Sequence, residues 1–159
     1  MENLENGREG EERKLNSVEA SNKELMTSIL NELGCSPYEE EDGSYHLMFQ
    51  GEHFVMEFCD LYVQIWDPSW SHVNVNDLNL PIVKLAMNLA NFAFGPTLLI
   101  SEPNDEGNLI IHTRYGIVLH PAIPQITNYV RETLKMFFRA KETMHHHYVS
   151  LVAKQNTEG

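Results

Sequence analysis

Tyr45-His46-Leu47-Met48-Phe49-Gln50-Gly51-Glu52-His53-Phe54-Val55-Met56-Glu57-Phe58 is the stretch on which the fold turns. Tyr45, Leu47 and Phe49 alternate with His46, Met48 and Gln50, and Phe54, Met56 and Phe58 alternate with His53, Val55 and Glu57. Side chains of an extended chain point alternately to opposite faces, so this period of two marks a pair of half-buried strands. Gly51 and Glu52 supply the turn of a β-hairpin between them. Leu61 to Trp66 follows closely enough to pair with the second strand as an antiparallel meander, with Asp67 and Pro68 ending it. Ser69 to Asn79 has no clear period and reads as an irregular connection.

Outward from the hairpin the period becomes helical. Leu25, Ile29, Leu30 and Leu33 place a helix over about Asn22 to Leu33, with Gly34 as its cap, and Tyr38 to Gly43 reads as an acidic turn. Downstream, Asn79 caps a second helix, Pro81 sits in its first turn, and the helix is expected to reach Phe94 before Gly95 and Pro96 end it. Thr97 to Ser101 and Asn108 to Leu119 read as strands about a turn at Pro103 to Gly107, and Gly116 is a place for a bend. Pro121 and Pro124 introduce a long last helix with the apolar stripe Ile126, Val130, Leu134, Phe137, Met144, Tyr148 and Leu151. The order is α-β-β-β-α-β-β-α. It defines an α+β fold with an antiparallel sheet of about five strands, expected as one domain over residues 21–152. An acidic disordered tail is expected at 1–20 and a flexible C-terminus at 153–159.

Composition limits the functions available. A chain of 159 residues that is 42% hydrophobic can bury a core without disulfides, and its two cysteines, Cys35 and Cys59, have no metal-like or redox-like spacing. No run approaches the roughly 18 apolar residues of a membrane span. The first residues carry no apolar core of a secretory signal, so the expected compartment is the cytoplasm. The net charge is −12, with twelve acidic and four basic residues over positions 1–42. Phosphate backbones need a basic surface, so nucleic-acid binding is excluded as a reading.

The element order resembles the type III secretion chaperone-like fold, and within it the YbjN-like family of small bacterial proteins labelled as sensory transduction regulators. The residues carrying the likeness are the strand-joining phrase Phe49-Gln50-Gly51-Glu52, the short strand containing Trp66, and the helix Leu85-Ala86-Met87-Asn88-Leu89-Ala90-Asn91. The likeness spans about Asn22 to Thr143. It implies a non-enzymatic, commonly dimeric binding or regulatory module; the secretion chaperones of this class hold extended client segments. Neither the acidic N-terminal region nor the histidine-bearing end of the last helix falls within it.

The chain has no nucleophile elbow, P-loop, dinucleotide-binding glycine fingerprint, HExxH or EF-hand loop, so no catalytic, cofactor or metal residues are assigned. An enzyme using dispersed histidines and carboxylates is the alternative, resting on His46, His53, His72, His112 and His120. Of these, His46 and His53 can meet across the hairpin if the register allows. His145, His146 and His147 sit about 100° apart around a helix and cannot share one ion. Glu39, Glu40, Glu41 and Asp42 read as a hydrated charge run. Trp66 and Trp70 are either partly buried or a ligand-facing pair.

Two surfaces remain as partner sites. Arg131, Lys135 and Arg139 form a basic stripe at four-residue steps, suited to an acidic partner or the N-terminal tail. On the second helix, Ile82, Leu85, Ala86, Leu89 and Phe92 form a stripe expected to cover the sheet. Val83, Met87, Ala90 and Phe94 form another. Two stripes call for two covers. The expectation is a homodimer contacting through Val83, Met87, Ala90 and Phe94, with cover by residues 69–79 or the last helix as the alternative. A protein or peptide client is the other expected partner.

Overall fold

The structure, a computed structural model, describes residues 20–158. The expected tail lies outside them except for residue 20, which is helical. Helix α1 covers residues 20–32 and buries Met26, Ile29 and Leu30. It ends in a Schellman arrangement: Cys35 N–H donates to Leu30 O at 2.8 Å and Gly34 N–H to Asn31 O at 3.0 Å. Gly34 takes a φ of +75°, which a side chain would resist.

Six strands follow in one wholly antiparallel sheet of order β1-β2-β3-β4-β6-β5. They are β1 (Tyr38–Glu39), β2 (Tyr45–Phe49), β3 (Glu52–Phe58), β4 (Val63–Asn74), β5 (Thr97–Pro103) and β6 (Asn108–Ile117). Helix α2 (Leu80–Ala90) lies between β4 and β5, and α3 (Ile126–Glu158) closes the order. The expected α+β class and element order hold, with six strands in place of about five. The additional one is β1, formed where the acidic turn was expected to begin.

In the β2–β3 hairpin Phe49 pairs with Glu52, so the two-residue turn is Gln50-Gly51, one residue earlier than expected. Both have positive φ, 50° and 85°, the type I′ geometry whose twist matches the flanking strands. The larger correction concerns β4. Asp67-Pro68 does not end that strand: it runs on to Asn74 and takes up much of the segment read as irregular. Asp67 pairs with Thr113 and Ser71 with Ile111, so β4 spends four residues where β6 spends two. Such a bulge is where a strand tolerates proline, because no ladder hydrogen bond is needed there. The disrupted alternation hid the strand.

All three helices pack on one face of the sheet. Tyr45, Leu47, Phe54, Met56, Val63, Ile65 and Ile117 meet α1 and the first half of α3 in one buried cluster. Val73, Leu98, Leu109 and Ile111 meet α2 and Met144 in a second. Helix α3, at 33 residues and roughly 50 Å long, spans both clusters and stays helical through Glu158, where a flexible end was expected from 153. Helix α2 stops at Ala90 rather than Phe94, because the Asn91 side chain turns to β5: its Nδ2 donates to Leu98 O at 3.0 Å and its Oδ1 accepts from Leu98 N–H at 2.8 Å. Gly116 neither bends nor bulges β6, pairing regularly with Gln64.

Candidate functional site

The register positions of the core predict apolar residues at every inward place, and two charged residues break the pattern together. On β4, Val63, Ile65 and Asp67 all face the helices, and Asp67 is 1% exposed. On α3, Val130, Leu134, Phe137 and Met144 face the sheet, and Lys141 occupies the turn between the last two. Lys141 Nζ lies 2.5 Å from Asp67 Oδ2 and 3.2 Å from Glu52 Oε2. It also stands 5.4 Å from the Trp70 ring centroid and 5.3 Å from that of Phe138. Burial pushes the Asp67 carboxyl above its usual range, and the Lys141 ammonium opposes that rise without cancelling it. The two groups form a close, buried ion pair.

A cavity of about 270 Å³ opens beside this ion pair, between the later half of β4, α2 and α3. Lys141 and Trp70 line it together with apolar walls from Val73, Val83, Ile111 and Met144. Trp70 Nε1 and Thr113 Oγ1 are buried, and neither has a hydrogen-bond partner among the described residues. The β4 bulge is what brings Trp70 to this side. Within it Ser69 adopts φ 56°, and its N–H donates to His112 Nδ1 at 3.2 Å. The two tryptophans therefore do not form a pair. Trp70 packs against the helix-side cluster, while Trp66 lies on the opposite, open face of the sheet.

That open face carries no helix among the described residues. Trp66 donates from Nε1 to Glu57 Oε2 at 3.0 Å, stands edge-on to His112 and lies 5.4 Å from the Arg114 guanidinium. Together with Val55, Pro68 and Leu99 it lines a shallow depression of about 460 Å³ that reaches β5. Strand β5 is one edge of the sheet. Because Leu98 turns its N–H and C=O outward to Asn91, Ile100, two residues on, turns its own in the same direction.

Sequence-expected residues fall at several places. Val83, Met87 and Ala90 are buried within the chain's own second cluster, against Val73, Leu98, Leu109 and Met144. Helix α2 is turned relative to the expectation: the stripe assigned to an outside partner faces the sheet, while Leu85 and Phe92 of the other stripe are exposed. Phe94, beyond the helix end, is 90% exposed. Arg131, Lys135 and Arg139 do line up, but around a carboxylate. Lys135 pairs with Glu132 at 2.9 Å, Arg139 approaches it at 3.8 Å, and Arg131 donates to Asn128 Oδ1 at 3.4 Å. The Lys135 hydrogen bond holds the Glu132 carboxyl below its usual range.

His46 and His53 do meet, with His46 Nδ1 3.0 Å from His53 Nε2. Ser44 lies 3.3 Å from His46 Nε2, and its hydroxyl donates to Asp42 Oδ1 at 2.6 Å. No group of three His, Cys, Asp or Glu side chains able to hold a metal ion occurs among the described residues. His145 and His146 are exposed and His147 half-buried, pointing apart as helix geometry requires. Glu39 is taken by Lys23 at 2.7 Å, and Asp42 by the Ser44 backbone and hydroxyl. Neither Lys141 nor Asp67 was singled out from the sequence. Their signal was there: a lone lysine in the gap of the 130-134-137-144-148 stripe, and a lone aspartate at the inward position after Val63 and Ile65.

Fold and site define a two-layer α+β protein with an open sheet face and an ion pair buried between sheet and helix. The chain is similar to the crystal structure of YbjN, "a putative transcription regulator from E. coli", with TM-score 0.48 and 12% identity over 83% of this chain and 92% of that one. No protein-family model and no curated protein matches it. No helix among the described residues is long and apolar enough to cross a membrane.

Proposed function

We propose that this protein is a non-enzymatic binding or regulatory module that takes an extended protein segment along the β5 edge, its side chains resting on the open face of the sheet. The observation carrying this reading is the asymmetry of the layers: three helices on one face, and on the other an apolar depression of Val55, Trp66, Pro68 and Leu99 beside a strand edge. Strand addition supplies backbone hydrogen bonds without regard to sequence, and alternate side chains of the segment give selectivity. Ile100 offers the backbone pair and Leu99 the neighbouring side-chain contact.

The reading includes a homodimer. Its contact is placed at Phe92 and Phe94, which are 82% and 90% exposed beside a groove lined by Ala90, Ala93, Met136 and Ala140. One patch thus carries both a projecting ring and a recess of small side chains, as a two-fold contact requires. Arg139 lines the same groove, and with Arg131 and Lys135 it is assigned to an acidic stretch of a partner.

Selection of binders from a random ten-residue peptide library tests the client reading. Peptides selected by the wild type should lose at least tenfold in affinity against Leu99→Lys, and equally when one alternate set of their backbone amides is N-methylated. Binders that tolerate both changes would place recognition elsewhere.

A further inference from the structure

We propose that His46, His53 and Met48 form a copper(I) site on the open face of the sheet, with His46 Nδ1, His53 Nε2 and the Met48 thioether as its donors. The site lies at the β2–β3 end of that face, away from the depression at Trp66 and Leu99 to which the client is assigned, and does not depend on that reading.

The hydrogen bonds behind His46 set its ligating nitrogen. Those from the Ser44 hydroxyl and backbone hold the Asp42 carboxyl below its usual range, so it is ionised and only accepts. The Ser44 hydroxyl uses its one hydrogen on Asp42 Oδ1 at 2.6 Å. Toward His46 Nε2, 3.3 Å away, its oxygen is therefore an acceptor, and Nε2 carries the hydrogen. A neutral His46 ring then presents a bare lone pair at Nδ1, the atom 3.0 Å from His53 Nε2. Metal-bound histidines are oriented in the same way, the second ring nitrogen donating to an oxygen. Tyr38 stacks on the His46 ring at 5.3 Å and holds its plane.

The separation suits one ion. Two imidazole nitrogens bound at about 2.0–2.1 Å, with an angle of about 90–110° between them, stand roughly 2.9–3.4 Å apart. The 3.0 Å between His46 Nδ1 and His53 Nε2 falls within that interval. Without metal, the His53 Nε2 hydrogen fills the gap. On binding it moves through solvent to His53 Nδ1, which has no partner among the described residues, and both rings stay neutral.

Met48 decides which metal. It is the register partner of His53 and follows His46 by two residues, so all three share the open face. Residues directly opposite have Cβ atoms about 4.5–5.5 Å apart, within reach of an unbranched methionine chain. Met48 is 57% exposed and lines one recess with His53. Cys35 lines that recess too, but it is buried, and burial pushes its thiol up, away from the thiolate that would ligate. Zinc takes thiolate, imidazole and carboxylate, whereas a thioether selects copper(I).

Anaerobic titration of the full chain with copper(I), against a chromophoric copper(I) chelator, tests the site. One ion per chain is expected, in the wild type and equally in the chain carrying His145→Ala, His146→Ala and His147→Ala. The Met48 methyl signal, identified among the seven methionines by its loss in Met48→Leu, should shift to saturation. His53→Asn should weaken binding about a hundredfold. Met48→Leu should weaken copper(I) about tenfold and leave zinc(II) unchanged. Ser44→Ala, without touching the ion, should weaken it about tenfold; if its urea midpoint falls, Asp42→Asn takes its place. No bound copper(I), binding kept by His53→Asn, or binding lost with the three C-terminal histidines overturns the site. Zinc(II) held as tightly as copper(I), or copper(I) affinity unchanged in Met48→Leu, overturns the metal and its thioether. Unchanged affinity in the Ser44 or Asp42 variant overturns the orienting role.

Discussion

Lys141 shows how one residue connects charge, packing and pH. Its ammonium stands over Trp70 and Phe138 and faces Asp67, and replacing it with methionine removes the charge while keeping an apolar chain of similar length. Removing one partner of a buried pair costs about 3–5 kcal/mol because the other is left uncompensated. The Asp67 carboxyl is already raised by burial, and without Lys141 it rises further. A group whose folded value is raised contributes stability that is present below its unfolded value, about 3.9 for aspartate, and lost as the pH climbs through the folded one. Lys141→Met should therefore be close to the wild type in urea unfolding near pH 4 and several kcal/mol weaker near pH 7.5. Asp67→Asn in the same chain should remove that slope. A deficit independent of pH would assign the loss to packing instead.

Asn91 plays an element-scale part that its position in an apparently helical run does not reveal. Its side-chain amide meets both outward backbone groups of Leu98, as a neighbouring strand would, and thereby shortens the free edge of β5. Asn91→Ala should cost about 1 kcal/mol, in keeping with two partly exposed hydrogen bonds. Amide exchange at Leu98 should quicken far more than at Leu109 in β6, and equal acceleration at both would mean general loosening instead. The same element explains where sequence reading ended early. Periodicity reports an element only while its period persists, and it located the β2–β3 hairpin and α3 because their alternations are uninterrupted. It lost β4 at Asp67-Pro68, where the bulge breaks the alternation, and it carried α2 past Ala90 because Phe92 and Phe94 extend an apolar pattern that the backbone has left. The candidate site was hidden for a further reason. Lys141 lies at a regular position of α3 and Asp67 where the reading of β4 stopped, and their pairing depends on a contact between the two elements that local spacing does not encode.

At the scale of the whole molecule, the placement of α2 decides which variants report on assembly and which on folding. Met87 is 4% exposed within the second cluster, so Met87→Glu buries a carboxylate among Val73, Leu98 and Leu109 and should unfold the later half of the domain rather than release a monomer. Phe92 and Phe94 lie outside that cluster and expose apolar rings, 82% and 90% exposed. Large apolar side chains so exposed mark an interaction surface more often than a fold requirement. Phe92→Ser with Phe94→Ser should therefore leave the circular dichroism spectrum and urea midpoint nearly unchanged. In sedimentation equilibrium it should convert a dimer at micromolar concentrations into a monomer. Arg139→Glu, at the rim of the same groove, should weaken the dimer less and more so at low salt, since an exposed charge is screened within about 10 Å at 0.1 M salt. A wild-type chain that sediments as a monomer throughout that range would remove the dimer and leave the two rings to a different partner.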